Sequence, residues 1–298
     1  MKKILCLCLS STIQRTVTFE NLLLENVNRS KFYVEHASGK AINSARVLNQ
    51  LQKGCVKSIC PLGEENYNHF LNLAKNDDLS IEYVLIPGST RSCWTLLNSS
   101  NHTTTELVVG EPAEEKQDKA EVKFLKLFYE NLMEADAVLL AGSRPAIWSE
   151  DLYATISGMT KDNNKFLLAD FTGKDLLTTL KTAIPDVIKI NDEEFCQTFA
   201  CSREENSLKE ALIQKSKDLN NIIVVTRGKD STLAAKKGDL FECECEKILP
   251  VNTTACGDSF NAGFLFEYLQ NEDFEAAIKK GNWAAARNAL SVIPGSIQ

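Results

Sequence analysis

The sequence predicts a single α/β domain spanning residues 1–298, built on a mostly parallel sheet and carrying a small β lid. Three observations carry this reading. Short apolar runs of strand length alternate with amphipathic stretches of helical period, the pattern of βαβ units. Two insertions, approximately 12–36 and 88–110, break that rhythm with β-like alternation and no long helix. No internal repeat, low-complexity tract or long linker divides the chain.

Taken in order, Ile4–Leu9 is a first buried strand. Its apolar run is too short for a secretory signal, and polar Ser10, Ser11 and Thr12 follow it, so a cytoplasmic protein is expected. Thr16 to Glu35 alternates in a β-like way. Gly39 then turns the chain into an amphipathic helix over Ala41–Gln52. Lys57–Pro61 reads as a strand and Asn66–Ala74 as a helix. Arg91–Leu97 and Glu106–Val109 are the clearest β-like pieces of the second insertion, and the two insertions can pair into a small sheet over one edge of the main domain. Next come a helix over Lys119–Glu134, strands at Ala137–Ala141, Phe166–Asp170 and Val187–Ile190, a helix at Leu208–Lys217 and a strand at Ile222–Thr226. A final helical stretch places Phe260, Phe264, Leu265, Tyr268 and Leu269 on one face.

Composition narrows the function. Hydrophobic residues make up 44% and charged residues 24%, a soluble globular balance. No stretch approaches the roughly 18 consecutive apolar residues of a membrane span. A net charge of −7 without a basic stripe argues against nucleic acid as a partner. Any anionic small molecule must then be met by a few local cations. The ten cysteines form no C-x-x-C pair and no Cys/His cluster, so they read as small buried hydrophobes in a reducing compartment. Cys6/Cys8 and Cys243/Cys245 are C-x-C pairs expected on strands, each sharing one face. His36, His69 and His102 show no metal or triad spacing.

Several segments could carry chemistry. In Val251–Asn271, small residues from Thr253 to Gly257 lead through Asp258 into a helix. Such a start leaves backbone N–H groups for an anion, with Asp258 placed to accept a hydroxyl proton beside it. Asp258 as a mere helix cap is an equally good reading of this segment alone. Asn191 closes a strand and Glu194 follows three residues later, a capping-box spacing that outweighs, by itself, a role in holding waters around Mg²⁺. Ser38–Arg46 fails as a P-loop, because Val34 and Ala41 stand where glycine and Ser/Thr are required. It still presents Gly39, Lys40 and Asn43 at a helix N-terminus. Thr226–Ser231 joins two strands and needs to be no more than a turn. Gly142–Pro145 follows a strand where open α/β sheets bind ligands. Arg29 and Arg91 lie in the lid segments, and either alone would pass for a surface charge.

The ordered set resembles the ribokinase-like (pfkB) carbohydrate kinases over nearly the whole chain, most closely the branch of 1-phosphofructokinase and tagatose-6-phosphate kinase. Leu9–Thr16 is similar to that branch's L-N-P-x-[IL]-D-R-T, Asn28-Arg29 to V-N-R, and Ser38–Asn43 to G-G-K-G-x-N. Thr90–Ser92 and Thr105–Leu107 are similar to T-R-T and T-E-[IL], and Gly142–Pro145 to G-S-x-P. Lys189–Glu194 is similar to K-P-N-x-x-E, Thr226–Ser231 to S-x-G-x-x-G, and Asn252–Asp258 to D-T-x-G-A-G-D. The resemblance implies a ribokinase-like three-layer α/β/α sandwich with a small β-sheet lid. It implies that ATP, with Mg²⁺, phosphorylates a sugar phosphate: fructose 1-phosphate first, tagatose 6-phosphate second. Asp258 would be the base, and the N–H groups of Ala255, Cys256 and Gly257 would hold the transferring phosphoryl group. Lys189, Asn191, Glu194, Thr226 and Gly228 would serve ATP, with Asn282 near the adenine and Asn191 and Glu194 holding Mg²⁺ through water. Arg29, Lys40 and Arg91 would hold the substrate's phosphate, while Gln14, Gly39, Asn43 and Ser143 would face the sugar. A homodimer joined through the lid is a further expectation of the family. The chain departs from the pattern at Gln14 in place of Asp, Ser10-Ser11 in place of Asn-Pro, and Ser38 and Ser231 in place of glycines. Asn252 replaces Asp, and Ala255-Cys256 replace Gly-Ala; the alanine stands where glycine would serve backbone angles that alanine adopts less easily. Gly257 and Asp258 are retained.

Overall fold

The computed structural model describes residues 1–110 and 115–298. Its larger sheet runs β13 (Asp239–Cys243), β12 (Thr232–Lys236), β11 (Ile222–Thr226), β10 (Val187–Asn191), β9 (Phe166–Asp170), β8 (Ala137–Ala141), β1 (Ile4–Cys8), β4 (Val56–Gly63), β5 (Ile81–Ile86). The strands from β11 to β5 are parallel, and β12 and β13 return antiparallel at one edge.

Successive side chains of a strand point to opposite faces, and β1 shows what each face meets. Ile4, Cys6 and Cys8 face the layer of α1 (Lys40–Leu51), α2 (Tyr67–Asn76), α8 (Cys256–Asn271) and α9 (Phe274–Ala289). Leu5, Leu7 and Leu9 face α3 (Asp118–Leu132), α4 (Leu152–Asp162), α5 (Gly173–Thr179), α6 (Asp192–Phe199) and α7 (Glu205–Leu219). Phe70, Phe260 and Phe264 fill the first core and Phe124, Phe128, Trp148 and Phe195 the second. The result is a three-layer α/β/α sandwich. Cys6 and Cys8 share the buried face expected of them. Cys245, by contrast, lies beyond the end of β13, because the chain leaves the sheet after Cys243.

A second, four-stranded sheet has the order β3 (Tyr33–Ser38), β2 (Thr12–Phe19), β6 (Ser92–Asn98), β7 (Thr103–Val109). Each insertion supplies an antiparallel pair, and β2 joins β6 in parallel. The apolar pattern leaves β5 unmarked because it is an edge strand with mostly half-exposed side chains. The parallel register aligns the strand ends that matter: Cys8 pairs with Ala141, Ala141 with Asp170, and Asn191 with Thr226. Ligands of open α/β sheets bind beyond these carboxyl ends. Among the described residues, no helix is long and apolar enough to cross a membrane.

Candidate active site

Asp258 sits in the first turn of α8, yet it does not cap that helix. The cap position is Ala255, and α8 has no side-chain cap bond. Asp258 Oδ2 instead accepts a 2.8 Å hydrogen bond from Asn43 Nδ2 on α1, and Ser44 donates to the Asp258 carbonyl at 2.8 Å. The Asn43 amide has a defined orientation. Ser38 Oγ and an Arg46 guanidinium N–H both donate to its Oδ1, at 2.8 and 3.2 Å. The NH₂ end is thereby left for Asp258. Arg46 is buried and held by Asp77 at 2.9 Å and by the Pro294 carbonyl at 3.0 Å. Burial raises the Asp258 carboxyl to about 6, against the opposing pull of Lys40. A carboxylate of that basicity suits a general base working near neutral pH.

Gly39 makes this arrangement possible. Its φ of 131° is open to glycine, and a Cβ there would lie 2.6 Å from Cys8 Sγ. The chain can therefore pass β1 closely and start α1 with Lys40 and Asn43 facing the strand ends.

Beside Asp258 lies a charge cluster whose buried centre the sequence reading misses. Asp170, at the end of β9, accepts from Asn261 at 2.6 Å, from Lys40 at 3.1 Å and from Lys189 at 3.3 Å. Burial would raise its carboxyl, but Lys189 and Lys40 outweigh that and hold it well below the usual carboxylate range. Lys40 is raised in return, chiefly by Asp170. The one signal in the sequence is an acidic residue closing an otherwise apolar strand. Gly257 belongs to the same cluster, since a Cβ on it would fall 2.6 Å from Lys189 Nζ. The absent side chain brings a cation against the α8 N-terminus.

The loop before α8 is a tight turn in which the Cys256 amide donates to the Thr253 carbonyl at 3.3 Å. Of the three amides expected to face an anion, this one is engaged here. Ala255 takes φ 66°, ψ 13°, the left-handed conformation. Burial keeps Cys256 a thiol, pushed up to about 11, and Asn288 donates to the sulfur at 3.3 Å. Thr254 Oγ1 donates to Glu106 of β7 at 2.8 Å, so the small sheet touches this loop.

Asn191 and Glu194 form the reciprocal capping box: Glu194 N–H donates to Asn191 Oδ1 at 2.8 Å and Asn191 N–H to Glu194 Oε2 at 3.0 Å. This pins the carboxylate by one oxygen and leaves Oε1 directed at Lys40, 4.0 Å away. Among the described residues no group of three or more His, Cys, Asp or Glu could cage a metal. A hydrated Mg²⁺ fits the donors present, since it keeps several waters and needs few protein oxygens. Thr226 closes β11 beside Asn191, and Gly228 takes φ 61° in the turn that follows. Asn282 is locked to the antiparallel edge, accepting from Thr232 at 2.7 Å and donating towards the carbonyls of Cys243 and Glu244.

The remaining residues are more scattered. Gln14 is buried in the small sheet and donates to Thr95 Oγ1 at 2.8 Å. Arg91 is half-buried just ahead of β6, near enough to Cys8 for its charge to act on that thiol. Ser143 is exposed just past β8, after Gly142, where a Cβ would lie 3.7 Å from Lys40 Cβ. Arg29 is exposed on the loop between β2 and β3, away from the charge cluster's contacts.

A family model described as pfkB family carbohydrate kinase matches residues 3–293. Phosphofructokinase-2 from Escherichia coli in complex with fructose-6-phosphate superposes with a TM-score of 0.85 at 17% identity, covering 97% of this chain and 94% of that one. A possible 1-phosphofructokinase from Thermotoga maritima gives 0.83 at 17% identity, covering 98% and 93%. Ribokinase from Thermotoga maritima gives 0.74 at 17% identity, covering 99% and 95%.

Proposed function

Because the chain belongs to the pfkB family of carbohydrate kinases, we propose that it transfers the γ-phosphoryl group of ATP, with Mg²⁺, to a hydroxyl of a ketohexose phosphate, with fructose 1-phosphate the first candidate and tagatose 6-phosphate the second. The observation that carries this reading is Asp258, a buried carboxylate with raised basicity, oriented by Asn43 beside the Lys40–Asp170–Lys189 cluster. Phosphoryl transfer asks a protein for little else: a positioned acceptor, a base and fixed positive charge around the moving group.

In the proposed reaction the acceptor hydroxyl gives its proton to the Asp258 oxygen that Asn43 does not occupy. The Asn43 bond keeps the carboxylate plane fixed while that happens. Lys40 and Lys189 supply positive charge, and Asp170 holds both ammonium groups so that no reorganisation is needed as charge moves. The α8 N-terminus adds its dipole and the open amides of Ala255 and Gly257. Asn191 and Glu194 would hold Mg²⁺ through water, where the ion neutralises charge on the phosphates. Thr226 and Gly228 line the nucleotide side, and Asn282 shapes its far edge. Arg91, with Arg29 brought in by lid movement or by a second subunit, would meet the substrate's own phosphate. Gln14, Gly39 and Ser143 border the sugar. Closure of the small sheet, which already touches Thr254 through Glu106, would exclude water and limit wasteful hydrolysis of ATP.

ADP release with Mg-ATP, measured against free sugars, fructose 1-phosphate, fructose 6-phosphate and tagatose 6-phosphate, tests the proposal. Turnover confined to ketohexose phosphates is the expected result. Turnover of free sugars alone would overturn the substrate class. Sugar-phosphate binding without any turnover would favour a silent binding protein.

A further inference from the structure

The helix α6, which presents Asn191 and Glu194 at its start, ends in a turn that brings two cysteines together. Ala200 takes φ 56°, ψ 48°, and both its N–H and that of Cys201 donate to the Cys196 carbonyl, the latter at 3.2 Å. In a helix end of this kind the residue after the left-handed one packs against the residue whose carbonyl it bonds. An apolar pair usually fills that contact; here the pair is Cys201 and Cys196, with sulfurs 3.1 Å apart.

We propose that Cys196 and Cys201 are a redox-active dithiol that oxidants close into a disulfide, stapling the carboxyl end of α6. The backbone bonds already hold the loop, so closure needs the sulfurs to approach by only about 1 Å to reach a bonding distance near ~2.0 Å. The two thiols are unequally placed. Cys201 is half-exposed and Cys196 lies buried behind it. Burial, and then the contact with Cys201, push the Cys196 thiol up to about 12, so it reacts second. With a hydroperoxide as oxidant, Cys201 sulfur attacks the peroxide oxygen. An S–O bond forms, the O–O bond breaks, and the alcohol or water leaves with a proton. Cys196 sulfur then displaces the sulfenic oxygen: the S–S bond forms, the S–O bond breaks, and water carries away the Cys196 proton. Two thiols are oxidised and one peroxide is reduced. Metal binding is a poorer account of the pair, because a structural zinc site needs four donors and no third His, Cys, Asp or Glu joins these two among the described residues.

The test treats the folded full chain with a small excess of hydrogen peroxide, alkylates the remaining thiols and maps the peptides. The expected product is a peptide containing both cysteines, unalkylated and lighter by two hydrogens, restored by dithiothreitol and lost in Cys201→Ser. A Cys201 that over-oxidises while Cys196 stays alkylatable would overturn the proposal, as would a Cys196 cross-link to another cysteine that survives Cys201→Ser. Phenylarsine oxide gives an independent reading without oxidation or mutation. One equivalent should protect both thiols from alkylation together, and protection of neither would count equally against the pair.

Discussion

Asp258 has a high proton affinity because its burial outweighs the opposing pull of Lys40 and the hydrogen bond from Asn43. Two consequences follow from the direction of that shift. Turnover should fall as pH drops through about 6, since a protonated carboxyl cannot accept the hydroxyl proton; the acid limb of kcat/KM measures this. The folded state also binds this proton more tightly than the unfolded chain, where an Asp titrates near ~3.9. Stability from Asp258 is therefore greatest below that value and declines as pH rises to about 6. Asp258→Asn should lower kcat by ~10²–10⁴-fold while leaving the melting temperature at neutral pH unchanged or higher. A variant that turns over normally would reduce Asp258 to a structural role. Ala255 is the second residue with a clear expectation. A left-handed alanine costs about 1 kcal/mol, partly offset by the extra unfolded-state freedom of glycine. Ala255→Gly should then match or slightly exceed the parent in stability and keep kcat, whereas Ala255→Val, β-branched in the same conformation, should lose both. Thermal melts with steady-state assays decide each. Arg91→Ala, if Arg91 binds a remote phosphate equally in ground and transition states, should raise KM with kcat little changed.

At the scale of elements, the site is a junction of strand ends and helix starts, and Asp170 ties it together. Asp170→Asn leaves the buried Lys189 ammonium without its counter-charge and Lys40 with the more distant Glu194, so a loss of roughly 3–5 kcal/mol is expected in denaturant melts, together with most activity. Because Asp170 is held below the usual carboxylate range, its contribution is present above the unfolded value and lost as pH falls further, opposite in sign to Asp258. A melt unaffected by the substitution would show that the cluster contributes nothing net. The same junction shows what could be read in advance. Ser38–Asn43, Lys189–Glu194 and Val251–Asp258 were legible because turn, cap and small-residue signals are local. Asp170 was not, because a lone acidic residue after Phe166–Ala169 acquires partners only when α1, β10 and α8 lie alongside it. The choice between cap and base for Asp258 was open in sequence for the same reason: Asn43 is 215 positions away along the chain.

At the scale of the molecule, the small sheet leaves apolar side chains in solvent. Leu107, Val108 and Val109 on β7 and Leu23, Leu24, Val27, Phe32 and Tyr33 around the β2–β3 loop are exposed. An apolar surface of this kind is what an interface would cover. If two chains join through their lids, Leu107→Asp combined with Val109→Asp should convert a dimer to a monomer in light scattering and raise KM for the sugar phosphate; a parent that is already monomeric would end that expectation. The alternation of strands and helices, the two insertions and the local turns are written in the amino-acid order alone, because periodicity, glycine and helix-start chemistry act over a few residues. Folding alone makes Asp258 face Asn43 rather than its own helix, gives Asp170 two lysines to bind, and lets Gly257 make room for one of them. Those are contacts between segments far apart in the chain, and burial sets their charges only once the layers have closed around them.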